Sequence, residues 1–484
     1  MLVKRRLSMN RRDFIRSGGA ATVMAMGGGA CASISGGAGK LAILGGTPVM
    51  SEAERRADDG LFKWPIVNDA MRRANDKVLC DCNMSWINVS EEFEQKFAKW
   101  QGTKYASSAP NGTAALVAAF YAVGLGPGDE LICPSITFWA SCLGAIHLGA
   151  TVVFCDVKAD DLTMDPASFE AHITPRTKAV VPVHVYGQPC DMDAIMAIAR
   201  KHGIKVVEDV SHAQGGFYKG RRLGTIGDCG AMSLMTNKSF AIGEGGMFVT
   251  DDRELYRRVV RWGQYERIGR CWSGAEIADT RALPVGGVKN RLNQCSAAIG
   301  IEQLKKYDSE IAEIDKALKY FWKGIADVKG LGMIYPADEG STKAGWYYSR
   351  VRYSPEAFEE VPSYLFAQAC NAEMGGRGGF SAGCNFPLHL SSVFDDADIF
   401  GNGRPPARRN LPQGLSPKAL TGRLPVAESI GVSGERIFGE PWFKHCDCAR
   451  IDRYVEAVHK VAANAKALKA ANVKSGPATP PGWS

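Results

Sequence analysis

The sequence predicts an α/β fold, with a mostly parallel central sheet in a large domain and a smaller α+β domain after it. Short apolar segments alternate with helix-length connections between residues 130 and 250, which is typical of a parallel sheet covered by helices on both faces. From about residue 310 the pattern changes to longer helical stretches around one strand-like segment. The chain has 484 residues, 45% hydrophobic and 23% charged, an ordinary composition for a soluble globular protein.

The first clear element is an amphipathic helix over residues 91–100. Phe93, Phe97 and Trp100 recur at the i, i+4, i+7 spacing that lines one helix face with core side chains. Short apolar strands are then predicted over residues 130–133, 151–155, 179–183, 205–208 and 246–250. Ligands of such sheets gather at the carboxyl ends of the strands, and Asp209 directly follows a predicted strand. We therefore expect the functional site at that edge.

The second domain is predicted from helices over residues 311–328 and 449–470 around a strand over residues 345–352. The segment 375–425 is rich in Gly, Pro and Arg, and so long an irregular stretch is usually functional or mobile. The predicted organisation is a signal segment over 1–39, a large domain with an N-terminal arm over 40–308, a small domain over 309–472 and a disordered tail over 473–484.

Charge and cysteine usage exclude two function classes. The formal net charge is +7, but the first 17 residues carry +5 of it, so the rest of the chain lacks the basic footprint of a nucleic-acid-binding protein. The 14 cysteines are scattered, mostly through apolar runs where a small buried hydrophobe fits. No spacing matches a zinc site, so no metal is predicted.

The N-terminus resembles a twin-arginine export signal. Arg11 and Arg12 are followed by Phe14 and Ile15, and then by an uncharged Gly- and Ala-rich stretch over residues 17–39. The glycine content argues against a stable membrane span. We expect export to the periplasm or cell envelope, with a cytoplasmic location if the leader is not used. Cleavage is favoured over lipid attachment at Cys31.

A lysine and a carboxylate suggest the chemistry. Lys238 lies in a run that ends in the turn 243–246, and Asp209 precedes it by 29 residues at the end of a predicted strand. Pyridoxal phosphate needs an amine that forms a Schiff base with its aldehyde and a carboxylate that keeps its ring nitrogen protonated. In residues 111–116 a small-residue turn opens a helix and exposes N–H groups to a phosphate.

Together with the aromatic segment 134–141, these motifs resemble the DegT/StrS sugar-aminotransferase family of fold-type I pyridoxal phosphate enzymes, from about Leu41 to Val461. The resemblance implies that Lys238 holds the cofactor and then moves protons, while Asp209 pairs with the ring nitrogen. It implies further cofactor contacts from Gly112, Thr113, Phe138, His212 and Ser233. Phe138 is the residue expected to stack on the ring, with Trp139 as the neighbour that could take its place.

One motif departs from the family pattern. Aligning Arg291 puts Lys289 where the family usually has an Asn that reaches the phosphate of the neighbouring subunit. Either Lys289 replaces that Asn with a charged donor, or Asn290 does so after a local shift. Both alternatives favour a homodimer with shared active sites. The resemblance also places His389 where the second domain approaches the substrate.

The predicted function is a ping-pong aminotransferase that moves an amino group from glutamate or glutamine to a keto-sugar or keto-cyclitol. Family members that act as dehydratases have a histidine in place of the Schiff-base lysine, so Lys238 favours transamination. Two alternatives stay open. The chain could keep the cofactor for sensing or binding with little turnover, which the export signal and Lys289 motivate. As a cell-surface scaffold, it would bind no chromophore.

Overall fold

A seven-stranded sheet forms the centre of the molecule. The computed structural model describes residues 39–56, 60–272, 281–432, 434–471 and 473, so the predicted leader and nearly all of the predicted tail lie outside the described residues. In chain order the strands of the central sheet are β1 Tyr105–Ala109, β2 Glu130–Pro134, β3 Thr151–Cys155, β4 Thr177–Val180, β5 Lys205–Asp209, β8 Cys229–Ser233 and β9 Gly246–Thr250.

The sheet order is β1-β9-β8-β5-β4-β2-β3. The pairs β8–β5, β5–β4, β4–β2 and β2–β3 are parallel, whereas β9 is antiparallel to both of its neighbours. The other six strands therefore run in one direction and end at one edge. This confirms the predicted α/β fold with a mostly parallel sheet.

Helices cover both faces of this sheet. In chain order, the helices of the whole described chain, including those that pack on the smaller sheet, are α1 Glu52–Arg56, α2 Asp69–Cys80, α3 Asn88–Gln101, α4 Gly112–Ala122, α5 Gly144–His147, α6 Pro166–Ala171, α7 Met192–His202, α8 Arg253–Gly263, α9 Ile268–Cys271, α10 Gln294–Leu304, α11 Tyr307–Gly324, α12 Ser363–Glu373, α13 Pro417–Thr421, α14 Pro425–Gly431, α15 Cys448–Ala463 and α16 Ala465–Ala470.

Alternate residues of each strand enter two different hydrophobic cores, as the pleat of a sheet requires. Cys133 of β2 packs in the core that contains α4 and α8, whereas its neighbour Ile132 packs in the core that contains α3 and α7. The predicted aromatic stripe on α3 is buried, with Phe93 and Phe97 both fully inside. A sheet buried on both faces explains why its strands appear in the sequence as continuous apolar runs.

A smaller antiparallel sheet of four strands follows along the chain. Its strands are β10 Leu331–Met333, β11 Val351–Tyr353, β12 Ser381–Ala382 and β13 Ile437–Gly439, in the order β10-β11-β13-β12. Two further short strands, β6 Phe217–Tyr218 and β7 Arg221–Arg222, form a hairpin. A third core joins this sheet to α11, α12 and α15, and Leu41 and Leu61 from the N-terminal part of the chain pack into it. Among the described residues, no helix combines the length and apolar character that crossing a bilayer requires.

One predicted strand is wrong. Residues 345–348 form a turn, and only residues 351–353 of that region pair as β11. Trp346 and Tyr348 have positive φ angles of 51° and 46°, which an extended strand excludes. The run of aromatic residues was compatible with a strand, but it serves instead to turn side chains towards a cavity.

The segment predicted to be irregular, 375–425, does lack long elements, and it packs against the central sheet. The N–H of Leu388 donates to the carbonyl of Ser135, and the Thr421 hydroxyl accepts from the N–H of Phe154. Both contacts lie at the β2–β3 end of the sheet. The segment therefore lies beside the edge at which the parallel strands end.

Candidate active site

A cavity of about 940 Å³ lies at the carboxyl ends of the parallel strands. All seven predicted site residues line it: Gly112, Thr113, Phe138, Asp209, His212, Ser233 and Lys238. Asp209 ends β5 and Ser233 ends β8, while Gly112 and Thr113 follow β1 and begin α4. The topology thus brings together residues that are more than 120 positions apart in the sequence.

Lys238 is buried, with 8% of its surface exposed, and it lies in the loop between β8 and β9. Its N–H donates to the carbonyl of Met235 at 2.8 Å, and its own carbonyl accepts from the indole of Trp64 at 2.9 Å. The Nζ atom lies 4.0 Å from the centre of the Tyr347 ring. Burial lowers the pKa of Lys238 to about 8, and the nearby charge of Asp209 partly opposes this shift. A substantial neutral fraction of this amine therefore exists near physiological pH.

Asp209 has two hydrogen bonds that fix its carboxylate. Oδ1 accepts from the N–H of Ser211 at 2.9 Å, and Oδ2 accepts from the hydroxyl of Ser141 at 2.7 Å. The Ser141 oxygen also lies 2.8 Å from the Thr137 hydroxyl. Since a carboxylate only accepts hydrogen bonds, the Ser141 hydroxyl donates to Asp209. The Thr137 hydroxyl therefore donates to the Ser141 oxygen. The chain Thr137–Ser141–Asp209 holds a negative carboxylate at the cavity wall.

The N-terminus of α4 meets Ser233 at unusually close range. Asn111 caps the helix by accepting from the N–H of Ala114 at 2.9 Å, and the N–H groups of Gly112 and Thr113 have no intrahelical acceptor. A Cβ on Gly112 would lie 2.6 Å from Cβ of Ser233, so only glycine allows this approach. The helix dipole, free N–H groups and a serine hydroxyl together form a site suited to a phosphate.

His212 is buried, and its Nδ1 accepts from the N–H of Tyr186 at 3.2 Å. Burial first, and then the charges of Lys238 and Arg350, lower its pKa well below the usual value. The ring is therefore neutral, and with Nδ1 accepting, its proton is on Nε2. His212 lies between two aromatic rings, 4.6 Å from Tyr347 and 5.9 Å from Tyr186 between centroids.

Phe138 and Trp139 both line the cavity, with 45% and 41% of their surfaces exposed and their centroids 4.9 Å apart. Neither Lys289 nor Asn290 lines it. Lys289 is exposed, with Nζ 5.7 Å from the Tyr265 ring, whereas Asn290 is buried. The two candidates for a cross-subunit contact therefore differ in accessibility.

His389 lies behind the cavity wall. Its Nδ1 is 2.6 Å from the Ser135 hydroxyl, and its Nε2 is 3.4 Å from Glu428. Glu428 accepts from Arg423, which is the main cause that lowers the pKa of Glu428 to about 2. A charged Glu428 can only accept, so Nε2 donates to it and Nδ1 accepts from Ser135. His389 thus fixes the segment that carries Thr137, Phe138 and Ser141.

Comparison with known proteins shows the family to which a chain with this site belongs. A model of the DegT/DnrJ/EryC1/StrS aminotransferase family matches residues 75–407. The chain belongs to this family. It is 39% identical over 257 residues to the GDP-perosamine synthase of Caulobacter vibrioides, covering 52% of this chain and 67% of that protein. It is 32% identical over 368 residues to the L-glutamine:2-deoxy-scyllo-inosose aminotransferase of Streptomyces paromomycinus, covering 73% and 83%. The crystal structure of an aminotransferase from Psychrobacter cryohalolentis superposes with a TM-score of 0.71 at 28% identity, covering 84% of this chain and all of that one.

The predicted activity, a pyridoxal-phosphate-dependent aminotransferase, is thereby confirmed. The described residues fit the cofactor, because the cavity offers an amine with a lowered pKa, a fixed carboxylate and an anion-binding helix N-terminus. The anion site depends on the close approach of Gly112 to Ser233, which a bulkier residue at position 112 would prevent.

The sequence did not reveal several residues of this DegT-family site. Tyr347 and Arg350 lie in the region predicted as a strand, and Trp64 belongs to the N-terminal arm. Ser141 had a usable signal, since it lies four residues after Thr137 in a motif already singled out. Tyr186, with a positive φ of 55°, had none, because backbone strain is invisible in a sequence.

Proposed function

We propose that this aminotransferase takes an amino group from glutamate or glutamine and transfers it to a keto-sugar or keto-cyclitol. The observation that carries the proposal is the placement of Lys238, Asp209 and Ser233 in one cavity at the strand ends. Two relatives support the acceptor class by name, one a GDP-perosamine synthase and the other an aminotransferase of a deoxy-scyllo-inosose. A cavity of about 940 Å³ has room for a sugar ring beside a cofactor.

In the proposed arrangement, the free N–H groups of Gly112 and Thr113 and the hydroxyl of Ser233 hold the cofactor phosphate. Phe138 would pack on the cofactor ring, and the Asp209 carboxylate would hold the ring nitrogen. When bound, pyridoxal phosphate supplies an aldehyde that condenses with amines and a ring that accepts electrons.

Lys238 is the proposed catalytic residue. Its neutral amine would hold the cofactor through the aldehyde, and Nζ would serve as the base that takes a proton from the substrate and as the acid that returns it. A pKa of about 8 suits both tasks, because the amine can accept a proton and give it back near neutral pH. The Tyr347 ring at 4.0 Å excludes water from one side of Nζ.

Asp209 and His212 are both held by hydrogen bonds beside Lys238. Two hydrogen bonds fix the orientation of the Asp209 carboxylate, which would pair with the ring nitrogen of the bound cofactor. Neutral His212 offers a single N–H from Nε2.

Two half-reactions test the proposal separately. Adding glutamate or glutamine to the purified holoenzyme should shift the visible absorbance to that of the amine form of the cofactor. Keto-sugars and keto-cyclitols, free and nucleotide-linked, should then restore the original spectrum. The Lys238→Ala variant should do neither. If none of several amino donors changes the spectrum of the wild-type protein, transamination is refuted and a sensing role is favoured.

We also propose that the chain is exported by the twin-arginine route and acts outside the cytoplasm. The support is the pair Arg11–Arg12 followed by Phe14 and Ile15. Fusion of residues 1–40 to a folded reporter should export it, and a double change of Arg11 and Arg12 to Lys should retain it in the cytoplasm. Equal distribution of both fusions would contradict the proposal.

A further inference from the structure

Two tryptophans from distant parts of the chain meet beside Lys238. Trp64 belongs to the N-terminal arm, and Trp442 lies three residues after β13 of the smaller sheet. Their ring centroids are 5.8 Å apart. The indole N–H of Trp64 donates to the carbonyl of Lys238 at 2.9 Å. The indole N–H of Trp442 donates to the carbonyl of Gly345 at 2.8 Å. Since an indole has a single donor, each ring commits it to one main-chain carbonyl.

These two carbonyls belong to the two sides of one contact at the amine. Gly345 begins the turn that carries Tyr347, and the Tyr347 ring lies 4.0 Å from Nζ of Lys238. A Cβ on Gly345 would lie 2.5 Å from Cβ of Ser239, so this turn packs directly on the residue after Lys238. Trp442 also packs edge-to-face against Tyr347, with centroids 5.8 Å apart and ring planes at 89°. The main chain of Lys238 and the turn of Tyr347 are therefore tied to one pair of rings.

Lys444 packs against both tryptophans and is buried. Its N–H donates to the carbonyl of Leu61 at 2.9 Å, which joins this segment of the small domain to the N-terminal arm. Its Nζ lies 4.9 Å from the centre of the Trp64 ring and also contacts the Trp442 ring. Burial lowers the pKa of Lys444 to about 5, so the amine is neutral near pH 7 and needs no counter-charge there. The side chain therefore acts as packing that keeps the two indoles in place.

We propose that Trp64 and Trp442 are positioning residues that hold the Tyr347 ring against the reacting amine of Lys238. The inference rests on the proposed function, because Lys238 is the catalytic residue of that function. The two indole hydrogen bonds limit how far the amine and the ring can move apart. Loss of either bond frees one side of the contact, so water reaches the amine and favours its protonated form. Proton transfer also slows, because it needs a neutral amine at a fixed position.

Cofactor-free protein tests the positioning without turnover. Competitive acetylation measures the protonation midpoint of Lys238, which we expect near pH 8 in the wild type. Trp64→Phe and Trp442→Phe keep a ring but lose the donor, so each should raise the midpoint by about one pH unit. The matched control is Trp322→Phe, because Trp322 is a buried indole of the third core whose N–H has no acceptor among the described residues. It should leave the midpoint unchanged, and thermal melting should show that all three variants are folded.

Removal of the Tyr347 ring separates positioning from a general loosening of the site. Tyr347→Leu should itself raise the Lys238 midpoint, because it uncovers one side of Nζ. Adding Trp442→Phe to this variant should raise the midpoint no further, since Trp442 acts through the ring that is already gone. A further rise of the same size as in the single variant would show that Trp442 acts by another route and would overturn the inference.

The donor half-reaction of the holoenzyme gives the second readout. In Trp64→Phe and Trp442→Phe the maximal rate with glutamate should fall about tenfold, while the half-saturating glutamate concentration changes much less. A Lys238 midpoint that stays near pH 8 in both variants, or that rises equally in Trp322→Phe, would overturn the inference and leave the proposed function intact. If the midpoint rises as expected but the wild type converts no donor, the proposed function fails and the positioning stands.

Discussion

Burial and the carboxylate of Asp209 shift the pKa of Lys238 in opposite directions. Loss of hydration favours the neutral amine, whereas the charge of Asp209 favours the protonated amine. Burial dominates, so the pKa lies at about 8 instead of 10.5. In the cofactor-free protein the amine is therefore mostly protonated below pH 8 and mostly neutral above it.

This balance predicts the pH dependence of acylation at Lys238. In cofactor-free protein, competitive acetylation followed by mass spectrometry should give a midpoint near pH 8 for Lys238. In Asp209→Asn the midpoint should move lower, because the variant removes the charge that favours protonation. Lys77 is the control, since its hydrogen bond to Asp81 raises its pKa. A Lys238 midpoint near 10.5, or an upward shift in Asp209→Asn, would contradict the prediction.

At the scale of elements, the site depends on how closely α4 approaches the ends of β8 and β9. A Cβ on Gly112 would lie 2.9 Å from the backbone nitrogen of Ser233, and one on Gly246 would lie 2.2 Å from the carbonyl oxygen of Asn111. Both contacts involve backbone atoms that cannot rotate away. The helix N-terminus and the serine hydroxyl can face one phosphate only because these two positions are glycine.

Gly112→Ala is accordingly expected to weaken cofactor binding at least about tenfold and to lower stability by about 1–3 kcal/mol. The added methyl group must push α4 away from Ser233. Titration with pyridoxal phosphate and thermal melting measure the two effects. Gly269→Ala is the control, because nothing lies within 4 Å of its Cβ position in α9. Equal cofactor affinity in the two variants would show that the close approach is not needed.

A second prediction at this scale concerns the segment 135–141, which His389 holds through the Ser135 hydroxyl. His389→Ala should lower stability by about 1–3 kcal/mol, because the Ser135 hydroxyl loses its partner and Glu428 loses one of several. It should also slow the donor half-reaction, since this segment carries Ser141 and Phe138. His389→Asn places an amide near the position of Nδ1 and should recover part of both losses. His202→Ala on the exposed face of α7 should change neither, and a rate unchanged in His389→Ala would refute the positioning role.

The sequence predicts the elements that have strong patterns and misses those built from small residues. Strands β2, β3, β5 and β9 are apolar runs buried on both faces, and they lie where they were expected. The predicted strands omit β1 and β8, whose sequences are Tyr-Ala-Ser-Ser-Ala and Cys-Gly-Ala-Met-Ser, because small side chains carry little β-propensity. The same small residues let α4 pack closely against these strands. The site therefore needs small side chains at positions where large apolar ones would have made the strands recognisable in the sequence.

At the scale of the whole molecule, the described surface exposes a set of large apolar side chains that we name the arm face: Leu79, Met84, Trp86, Tyr265 and Val288. Each is at least 40% exposed, and Trp86 reaches 63%. The carbonyls of Met84 and Trp86 both accept from Gln294, which fixes this segment beside α10. Lys289 lies exposed next to Tyr265 on this face. We infer that a second copy of the chain covers the arm face and that Lys289 reaches the partner's active site.

A single charge on the arm face should then separate the subunits. Trp86→Asp should weaken dimerisation about 30-fold or more, because a large aromatic at the centre of an apolar interface is a typical hot spot. Sedimentation equilibrium measures the change, and Phe400→Asp is the control, since Phe400 is 71% exposed on the irregular segment. If Lys289 contacts the partner's phosphate, Lys289→Ala should weaken cofactor binding while the dimer persists, whereas Trp86→Asp should weaken both. A wild-type monomer, or a Trp86→Asp variant that still dimerises, would contradict this arrangement, because the exposed Lys289 would then have no partner site to reach.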